Sequence, residues 1–512
     1  MNNAGSEDER RGFSSRTPDN NNPDRVRYRR GFVTKHQVTG WRFVMRRLSA
    51  GVAMHDARML VDPLRSQSRA LTTGVLAVVA AVIGCFIFSL IRPGGDAGTD
   101  VVLADRASSA LYVRVNDQLH PVLNLASARL IAGKPVSPKA VNARQLDKFG
   151  RGPLIGIPGA PERMVANTAT DADWTVCEGT PAAGAAAGVS LIAGPPATDG
   201  ERARALPGDR AVLVDGPGGS WLLWNGRRSA IDVNDRAVTG ALGWGNQPPQ
   251  SRPISSALFN AVPEGPALRA PAIAGAGTPA GYPVGAPVGS VVAAYGSGDA
   301  LDYYAVLNDG LQPISGVLAA ILRNTDSHGL TQPPRLSADQ IATLPVSHQL
   351  DTAAYPDREL RVVEPAQAPI TCLQWVKPEG AATSSTGLLS GAVLPVTDVN
   401  RTVRLVNAPA ARAAITPGYG YLVQTVGNDA AAPAAGSLFW VSDTGVRYGI
   451  EGGTGRNDGP VKTAAALGLD GPALPMPWSI LSLLSAGPAL SQADALTAAD
   501  FTAPAPNPTE NR

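Results

Sequence analysis

An uninterrupted apolar run, Ala70–Ile91, constrains this chain more than any other feature. It contains no charged residue. As a helix rising about 1.5 Å per residue it measures roughly 33 Å, which covers a hydrocarbon core of about 30 Å. Arg65 and Arg69 precede the run, and Arg92 and Pro93 follow it. We therefore predict a helix that crosses a membrane once.

A cleaved signal peptide is the competing interpretation of this run. The apolar region of such a peptide is about 7–15 residues long, lies near the N-terminus and precedes an Ala-x-Ala cleavage site. Here the run begins far from Met1, at Ala70, and no Ala-x-Ala follows closely. We expect the helix to be an uncleaved anchor.

Charge is distributed unevenly on the two sides of the run. The part before it carries 13 arginines and Lys35 against seven acidic residues, a net charge of +7. The part after it has more acidic than basic residues, and its net charge is −5. The positive-inside rule then places the N-terminus in the cytoplasm and the large C-terminal part across the membrane. Because basic residues beside a span mark topology and headgroup contact, no nucleic acid partner is expected.

Three cysteines indicate where covalent cross-links can form. Cys85 lies inside the run, whereas Cys177 and Cys372 fall in the exported part, where disulfides persist. Two exported cysteines allow one intramolecular pairing, and we expect the disulfide Cys177–Cys372. Two reduced thiols or an intermolecular bridge are the alternatives. The bridge would tie together two segments that are far apart in the chain.

The residues before the run divide into two parts. Residues 1–33 are polar and rich in arginine, and we predict disorder because this composition buries no core. Thr34 is a candidate helix cap. From Lys35 onward apolar residues recur at near-helical spacing with arginines between them. This pattern predicts a basic amphipathic helix in the region 34–69, ended by Pro63.

The apolar face of this amphipathic helix needs a cover, either the membrane surface or a partner protein. We favour a partner, because aromatic side chains interspersed with arginine are typical of interface anchors. The candidate contact residues are Val38, Trp41, Phe43, Val44 and Leu48.

The exported part shows one local pattern four times. In each copy two apolar runs flank a turn of the Asn-Asp, Asn-Gly or Asp-x-Gly type, and these residues accept the positive φ that hairpin turns require. The turns follow one another at unequal intervals, and this irregular spacing argues against a solenoid or propeller. The four predicted hairpins are Ala110–Asn124, Ser220–Asp232, Asp302–Ser315 and Ser437–Ile450.

Two inserted segments account for the irregular spacing, and each holds one exported cysteine. We expect Val165–Leu206 and Val362–Ala435 to form a central disulfide-linked β domain, with four diverged hairpin-plus-helix repeats around it. The predicted fold class is α+β and β-rich, in a single-pass membrane protein. The predicted boundaries are 92–164 for a linker and repeat one, 165–206 for the first central segment, 207–276 for repeat two, 277–361 for a linker and repeat three, 362–435 for the second central segment, 436–500 for repeat four and 501–512 for a disordered tail.

The motifs that usually carry chemistry are missing from the sequence. It has no Walker A motif, no G-x-S-x-G and no H-E-x-x-H. The glycines before Lys462 have the wrong spacing for a phosphate loop, and Asp171 and Asp173 form only a fragment of a calcium loop. The five histidines are dispersed, so we expect no catalytic residue, metal or cofactor.

Peptidoglycan binding is an alternative that composition leaves open, because exported tryptophans could stack on sugars. Several of them fall in predicted strands, where burial in the core is the ordinary outcome. The tryptophans concerned are Trp221, Trp224, Trp244, Trp375, Trp440 and Trp478.

The basic N-terminal helix, the single span, the four hairpins and the lone exported cysteine pair together resemble EccB, a membrane component of mycobacterial type VII (ESX) secretion systems. The resemblance covers nearly the whole chain and is most detailed for the EccB of the third ESX system. The segments that carry it are Ser15–Leu48, Arg58–Ala70, Ile155–Met164, Ser437–Ile450 and Pro477–Leu484.

This resemblance implies a function as well as a fold. An EccB protein assembles in the inner membrane with EccC, the motor ATPase, and with EccD and EccE. Its periplasmic domains associate with other EccB copies, and the mycosin protease MycP can join them. The stretch Thr34–Asp62 would contact neighbouring subunits, and Cys177 and Cys372 match the cysteine pair of the family.

The expected function is therefore that of a structural scaffold subunit of the secretion channel. An ATPase activity is attributed to the EccB family, but no residue of this chain matches a nucleotide site. The family's repeats resemble a phage-lysin cell-wall-binding fold. A weak ATPase and a peptidoglycan-binding module are accordingly the two alternative functions.

Overall fold

The computed structural model describes residues 34–55, 63–91, 97–245, 247–296, 300–452 and 459–499. The chain forms two compact units, Met1–Pro93 and Gly94–Arg512. The segments predicted to be disordered, 1–33 and 501–512, lie outside the described residues.

The N-terminal unit begins with helix α1 (Lys35–Met54). The hydroxyl of Thr34 accepts a hydrogen bond from the Gln37 amide at 3.4 Å, and the Thr34 amide donates to the Gln37 side chain at 3.0 Å. This capping box satisfies two of the free amides at the start of the helix. The helix ends at Met54, because His55 adopts the left-handed conformation, with φ of 52°.

Helix α2 (Pro63–Ile91) contains the apolar run and is longer than the predicted span 70–91. The prediction that Pro63 ends the amphipathic helix was wrong, since Pro63 begins α2. Proline suits the first position of a helix because its fixed φ is helical and its missing N–H has no acceptor there. The region 34–69 therefore holds the end of one helix and the start of another, with 56–62 outside the described residues.

The C-terminal unit opens with a five-stranded sheet in the order β4-β1-β2-β3-β5. Its first three strands form an antiparallel meander, and β4 and β5 add in parallel at the two edges. The strands are β1 (Val102–Asp105), β2 (Leu111–Val115), β3 (Gln118–Pro121), β4 (Lys139–Val141) and β5 (Gly150–Arg151). The helices are α3 (Leu125–Ala132) and α4 (Ala143–Leu146).

The chain next contributes three strands to a central sheet and then forms a second outer sheet. The central strands are β6 (Ala172–Gly179), β7 (Gly188–Ala193) and β8 (Arg204–Ala205). The second sheet contains β9 (Arg210–Gly216), β10 (Gly219–Trp224), β11 (Arg227–Ala230) and β12 (Arg252–Pro253). Its helices are α5 (Arg236–Ala241) and α6 (Ser256–Ala261), and a 3-10 turn, Pro181–Ala186, lies between β6 and β7.

The third outer sheet follows, and the chain then returns to the central sheet. The third sheet contains β13 (Val291–Tyr295), β14 (Leu301–Val306), β15 (Leu311–Ile314) and β16 (Arg335–Leu336), with helices α7 (Gly316–Thr325) and α8 (Ala338–Thr343). After a 3-10 turn, Thr352–Ala354, strand β17 (Arg361–Val362) pairs with β9 of the second sheet. The returning central strands are β18 (Ile370–Lys377), β19 (Ser385–Gly391), β20 (Val403–Arg404) and β21 (Arg412–Ala414), with a 3-10 turn at Val399–Arg401.

The fourth outer sheet completes the unit in the order β25-β22-β23-β24-β26. Its strands are β22 (Tyr421–Val426), β23 (Leu438–Val441), β24 (Val446–Ile450), β25 (Leu474–Pro477) and β26 (Ser485–Ala486). Its helices are α9 (Pro460–Leu467), α10 (Trp478–Leu481) and α11 (Gln492–Ala495). Strand β22 falls in the segment 362–435 that was assigned to the central domain. That boundary was wrong, because β22 hydrogen-bonds to β23 on one side and to β25 on the other.

The four outer sheets share one local order. Each contains a three-stranded antiparallel meander, a helix after the meander, and a later strand that pairs in parallel with the first strand of the meander. All four predicted hairpins are the second and third strands of these meanders. Positive φ at Asn116, Asp117 and Asn225 supports two of the turns, as the turn chemistry predicts.

Packing joins the outer sheets in pairs around the central sheet, whose order is β20-β21-β7-β6-β18-β19-β8. Helix α5 packs on α7, so the second and third sheets share a core, and α3 packs on α9, so the first and fourth share another. A third core fills the space between one face of the central sheet and the second and fourth sheets.

Candidate functional site

The exposed surface of α1 is the first candidate site. Five large apolar side chains recur at intervals of three and four residues, which places them on one side of a helix. They leave 37% to 80% of their surface accessible, so no described residue of this unit covers them. We call them the α1 stripe: Val38, Trp41, Met45, Leu48 and Val52.

The predicted contact set and the α1 stripe overlap only in part. Val38, Trp41 and Leu48 lie in the stripe, and Val44 lies at its border. Phe43 does not, because two residues advance an α-helix by about 200° and so place Phe43 about 160° from Trp41. Met45 and Val52 lie in the stripe but not in the predicted contact set, and the three-four spacing from Val38 identifies them.

Helix α1 carries cationic side chains and no acidic ones. Lys35, Arg42, Arg46 and Arg47 are all exposed, and the helix contains no aspartate or glutamate. A surface that covers the α1 stripe therefore also meets several positive charges. It would gain from carboxylates or phosphates beside its own apolar groove.

The second candidate site is α2. Gln67–Phe88 is the one segment in the described part of the chain that is long and apolar enough to cross a membrane. All of its side chains are exposed, Cys85 among them. An apolar surface of this length requires lipid or other helices around it.

The disulfide lies at the middle of the central sheet. Cys177 on β6 and Cys372 on β18 are directly opposite one another in the antiparallel register, and their sulfurs are bonded. Both residues are fully buried, in an apolar cluster on the side of the sheet away from the large core. The two central segments are therefore joined both by main-chain pairing and by a covalent bond.

A buried arginine and a half-buried glutamate flank this sheet. The guanidinium of Arg252 donates to the carbonyl oxygens of Ala368 at 2.7 Å and Val363 at 3.2 Å, and to the hydroxyl of Thr371 at 3.1 Å. Burial lowers the pKa of Arg252 to about 10. Burial also raises the pKa of Glu178, although its carboxylate accepts the Ser255 amide.

These contacts are structural in character. Arg252 sits at the start of β12 and holds the segment that leads from β17 into β18. The Glu178 carboxylate, on β6, caps the amide just before α6. Both groups thus fix the second outer sheet against the central one.

A cleft of about 930 Å³ lies between the second and third sheets. It gathers the arginines Arg227 and Arg358 with the carboxylates of Asp209 and Asp357, which is the coarse composition that an enzyme site would need. Arg227, however, lies over the Trp224 ring at 4.2 Å and donates to the Ala353 carbonyl at 2.5 Å. Arg227, the more buried of the two arginines, is therefore engaged in contacts within the protein.

The weak nucleotide and metal motifs gain no support from their positions. Lys462 and Thr463 lie in α9, and Thr463 is buried, while 453–458 are outside the described residues. Asp171 accepts the Glu379 amide, and Asp173 accepts the Gln374 side chain. In the part of the chain that the structure describes, no three His, Cys, Asp or Glu side chains come together to hold a metal.

A second cleft, of about 810 Å³, has an exposed aromatic ring at its rim. Trp478, at the start of α10, keeps 49% of its surface accessible, with the Arg447 guanidinium 5.4 Å from its ring and the Phe439 ring at 5.9 Å. Asn260 and Asp429 also line this cleft. The other tryptophans considered for sugar stacking are buried or half-buried: Trp221, Trp224, Trp244, Trp375 and Trp440.

Comparison with known proteins decides what this architecture belongs to. A family model described as "Type VII secretion system ESX-1, transport TM domain B" matches residues 30–504. The chain belongs to the EccB family. It is 59% identical over 510 residues to a protein of Mycolicibacterium smegmatis named "ESX-3 secretion system ATPase EccB3", covering 98% of this chain and 97% of the relative.

More distant EccB proteins match over most of their length. A Mycobacterium tuberculosis H37Rv protein named "ESX-5 secretion system ATPase EccB5" is 38% identical over 489 residues, covering 92% of this chain and 95% of the relative. The word ATPase in these names describes the relatives, and the geometry above identifies no nucleotide site among the described residues of this chain.

Solved structures of EccB proteins share the fold. A chain of "an intact ESX-5 inner membrane complex" matches with a TM-score of 0.71 at 36% identity, covering 95% of this chain and 99% of that chain. A chain of the "EccB3 dimer from the ESX-3 core complex" matches with a TM-score of 0.68 at 55% identity, covering 78% of this chain and all of that chain. The EccB fold thus occurs in inner-membrane assemblies and in a dimer.

Proposed function

We propose that this chain is a structural scaffold subunit of an inner-membrane type VII (ESX) secretion complex. One observation carries the proposal: nearly the whole chain matches a subunit of an intact ESX-5 inner membrane complex. Its partners would be EccC, EccD and EccE, other EccB copies and the protease MycP.

The charge asymmetry supports the orientation of this subunit. The net charge of +7 before α2 and −5 after it favours a cytoplasmic N-terminus and a periplasmic C-terminal unit. In that orientation α1 meets the cytoplasmic parts of EccC, EccD or EccE. The α1 stripe supplies the apolar contact, and Lys35, Arg42, Arg46 and Arg47 supply charge complementarity to an acidic groove.

The shared strand order supports a repeated architecture in the exported unit. We infer that the four outer sheets are diverged copies of one meander-plus-helix unit, arranged in two pairs about the disulfide-linked sheet. Four copies of one unit present several similar surfaces, which suits self-association with other EccB copies. A relative that was solved as a dimer agrees with this role.

The proposal is tested by extraction of the tagged protein from native membranes in mild detergent, followed by native-gel sizing and mass spectrometry. We expect a complex of several hundred kilodaltons or more that contains EccC, EccD and EccE. Recovery of the protein alone, under conditions in which EccC and EccD still co-purify with each other, would contradict the scaffold role.

Sugar binding is a second candidate function, and the Trp478 cleft favours it. An exposed aromatic ring beside amide and carboxylate side chains is the usual chemistry of a carbohydrate site. We expect Trp478→Ala to reduce pull-down of the protein on purified peptidoglycan, whereas Trp244→Ala, a half-buried ring that packs on the core of the second and third sheets, serves as the control. Equal recovery of the Trp478→Ala protein and wild type would exclude this cleft.

A further inference from the structure

The first outer sheet differs in charge from the rest of the exported part. Residues 97–164 carry nine basic and five acidic residues, a net charge of +4. Residues 165–499 carry 19 basic and 27 acidic residues, a net charge of −8. The charge of the exported part therefore changes sign between its first sheet and the remaining sheets.

This basic sheet is also the one that directly follows the span. Helix α2 ends at Ile91 and β1 begins at Val102. Eleven residue steps reach at most about 40 Å. The length of the connecting chain thus limits how far the start of β1 can lie from the end of α2.

The topology gathers lysines at the end of the sheet where the chain arrives. Strands β1, β3, β4 and β5 run in one direction and β2 in the other, so the starts of those four lie at one end. Lys134 precedes β4, Lys139 is the first residue of β4, and Lys148 precedes β5. We call these three residues the lysine end.

Only part of this charge is neutralised within the sheet. Lys139 forms an ion pair with Asp100 at 2.6 Å. Lys134 and Lys148 are exposed and make no ion pair in the described part of the chain. Two exposed lysines without an ion pair among the described residues therefore lie at the end of the sheet at which the chain enters β1.

We propose that the lysine end docks on anionic phospholipid headgroups of the bilayer that α2 spans. The inference rests on the proposed function only in taking α2 as a membrane span. Charge complementarity selects anionic over zwitterionic lipid, and each lysine close to such a surface favours association about fivefold. The contact orients the first sheet, and with it the exported unit, on the membrane surface.

The test uses the full-length protein in nanodiscs of phosphatidylcholine, with or without phosphatidylglycerol. Lysines are labelled with an amine-reactive acetyl ester, and labelling rates are measured by mass spectrometry. We expect the rates at Lys134 and Lys148 to fall about fivefold or more in anionic discs and to recover in high salt, because salt screens exposed charges. Lys377, on β18 of the central sheet, is the internal reference and should not change.

Two variants make the result specific. In Lys134→Glu/Lys148→Glu the labelling of Lys139 in anionic discs should rise to its rate in phosphatidylcholine discs. The control Arg236→Glu/Arg404→Glu reverses two exposed charges outside the first sheet, on α5 and β20, and should leave the protection of Lys139 intact. Near-UV circular dichroism checks that both variants keep the native packing, and the glutamine pair Lys134→Gln/Lys148→Gln replaces the glutamates if they do not.

Equal labelling in the two kinds of disc would overturn the proposal. Protection that requires EccC, EccD or EccE rather than anionic lipid would also overturn it, in favour of a protein contact. The outcome is separable from the scaffold role, because co-extraction of partner subunits from native membranes is scored independently. An assembled complex with no lipid-dependent labelling would refute the docking alone.

Discussion

Removal of the disulfide tests how strongly the central sheet is held together. Cys177 and Cys372 are paired in register on β6 and β18 and are fully buried. We expect the double variant Cys177→Ala/Cys372→Ala to fold, because the main-chain ladder between the two strands remains. We expect it to be much less stable, because two segments far apart in sequence lose their covalent link. A double substitution avoids a free thiol.

The size of the effect follows from the length of the loop that the bond closes. The cysteines are 195 residues apart, and the chain-entropy treatment gives about 5 kcal/mol for a loop of this length. Unfolding entropy of about 2.1 cal/mol/K per residue amounts to about 0.85 kcal/mol/K for the roughly 400 residues of the exported unit. The melting temperature should therefore fall by about 6 °C.

Tryptophan fluorescence during thermal unfolding of the detergent-solubilised protein is a suitable assay. Trp174 and Trp375 face each other on the same strand pair and report on the central sheet. Cys85→Ala is the matched control, because it removes a cysteine of α2 and leaves the disulfide intact. A melting temperature within about 1 °C of wild type in the double variant would refute the loop-closure reasoning.

Three further predictions follow from individual side chains. Trp41→Ala should lower co-purification of EccC and EccD at unchanged membrane insertion, whereas Phe43→Ala, on the other side of α1, should not; equal loss from both would contradict the α1 stripe. Arg252→Ala should destabilise the exported unit by about 3 kcal/mol, measured as a fall in melting temperature, because three buried oxygens lose their donor; an unchanged melting temperature would show that the contacts are dispensable. Burial raises the pKa of Asp173 above 3.8, so the folded state binds its proton more tightly, and this contribution to stability is lost as pH rises through the raised pKa. Asp173→Asn should therefore flatten the dependence of melting temperature on pH in that window, and an unaltered pH profile would argue against burial as the cause.

Local patterns in the sequence predicted most individual elements. Turn residues such as Asn116 and Asn225 tolerate positive φ, so all four hairpins were found from the sequence. The Thr34 cap and the apolar run were equally local signals. Phe43 and Trp41 were grouped by proximity in sequence, but helical angle decides which residues share a face and places them on opposite sides of α1.

The predicted helix and sheet boundaries were wrong where one local pattern is compatible with two structures. Pro63 can end one helix or begin another, and only the backbone of α2 shows the second outcome. Strand β22 looks like an insert between repeats, yet its partners are β23 and the much later strand β25. Strand pairing at such separations depends on main-chain hydrogen bonds that carry no sequence signature.

The sequence by itself determined the candidate membrane-spanning helix, the charge asymmetry, the hairpins and the family, because length, charge and turn chemistry are properties of contiguous residues. Only the tertiary structure decided which outer sheets pack together, which of the tryptophans considered for sugar stacking is exposed (Trp478), and that Lys134 and Lys148 share one end of a sheet. These properties depend on burial and on the direction of strands, which are set by contacts between residues far apart in the chain.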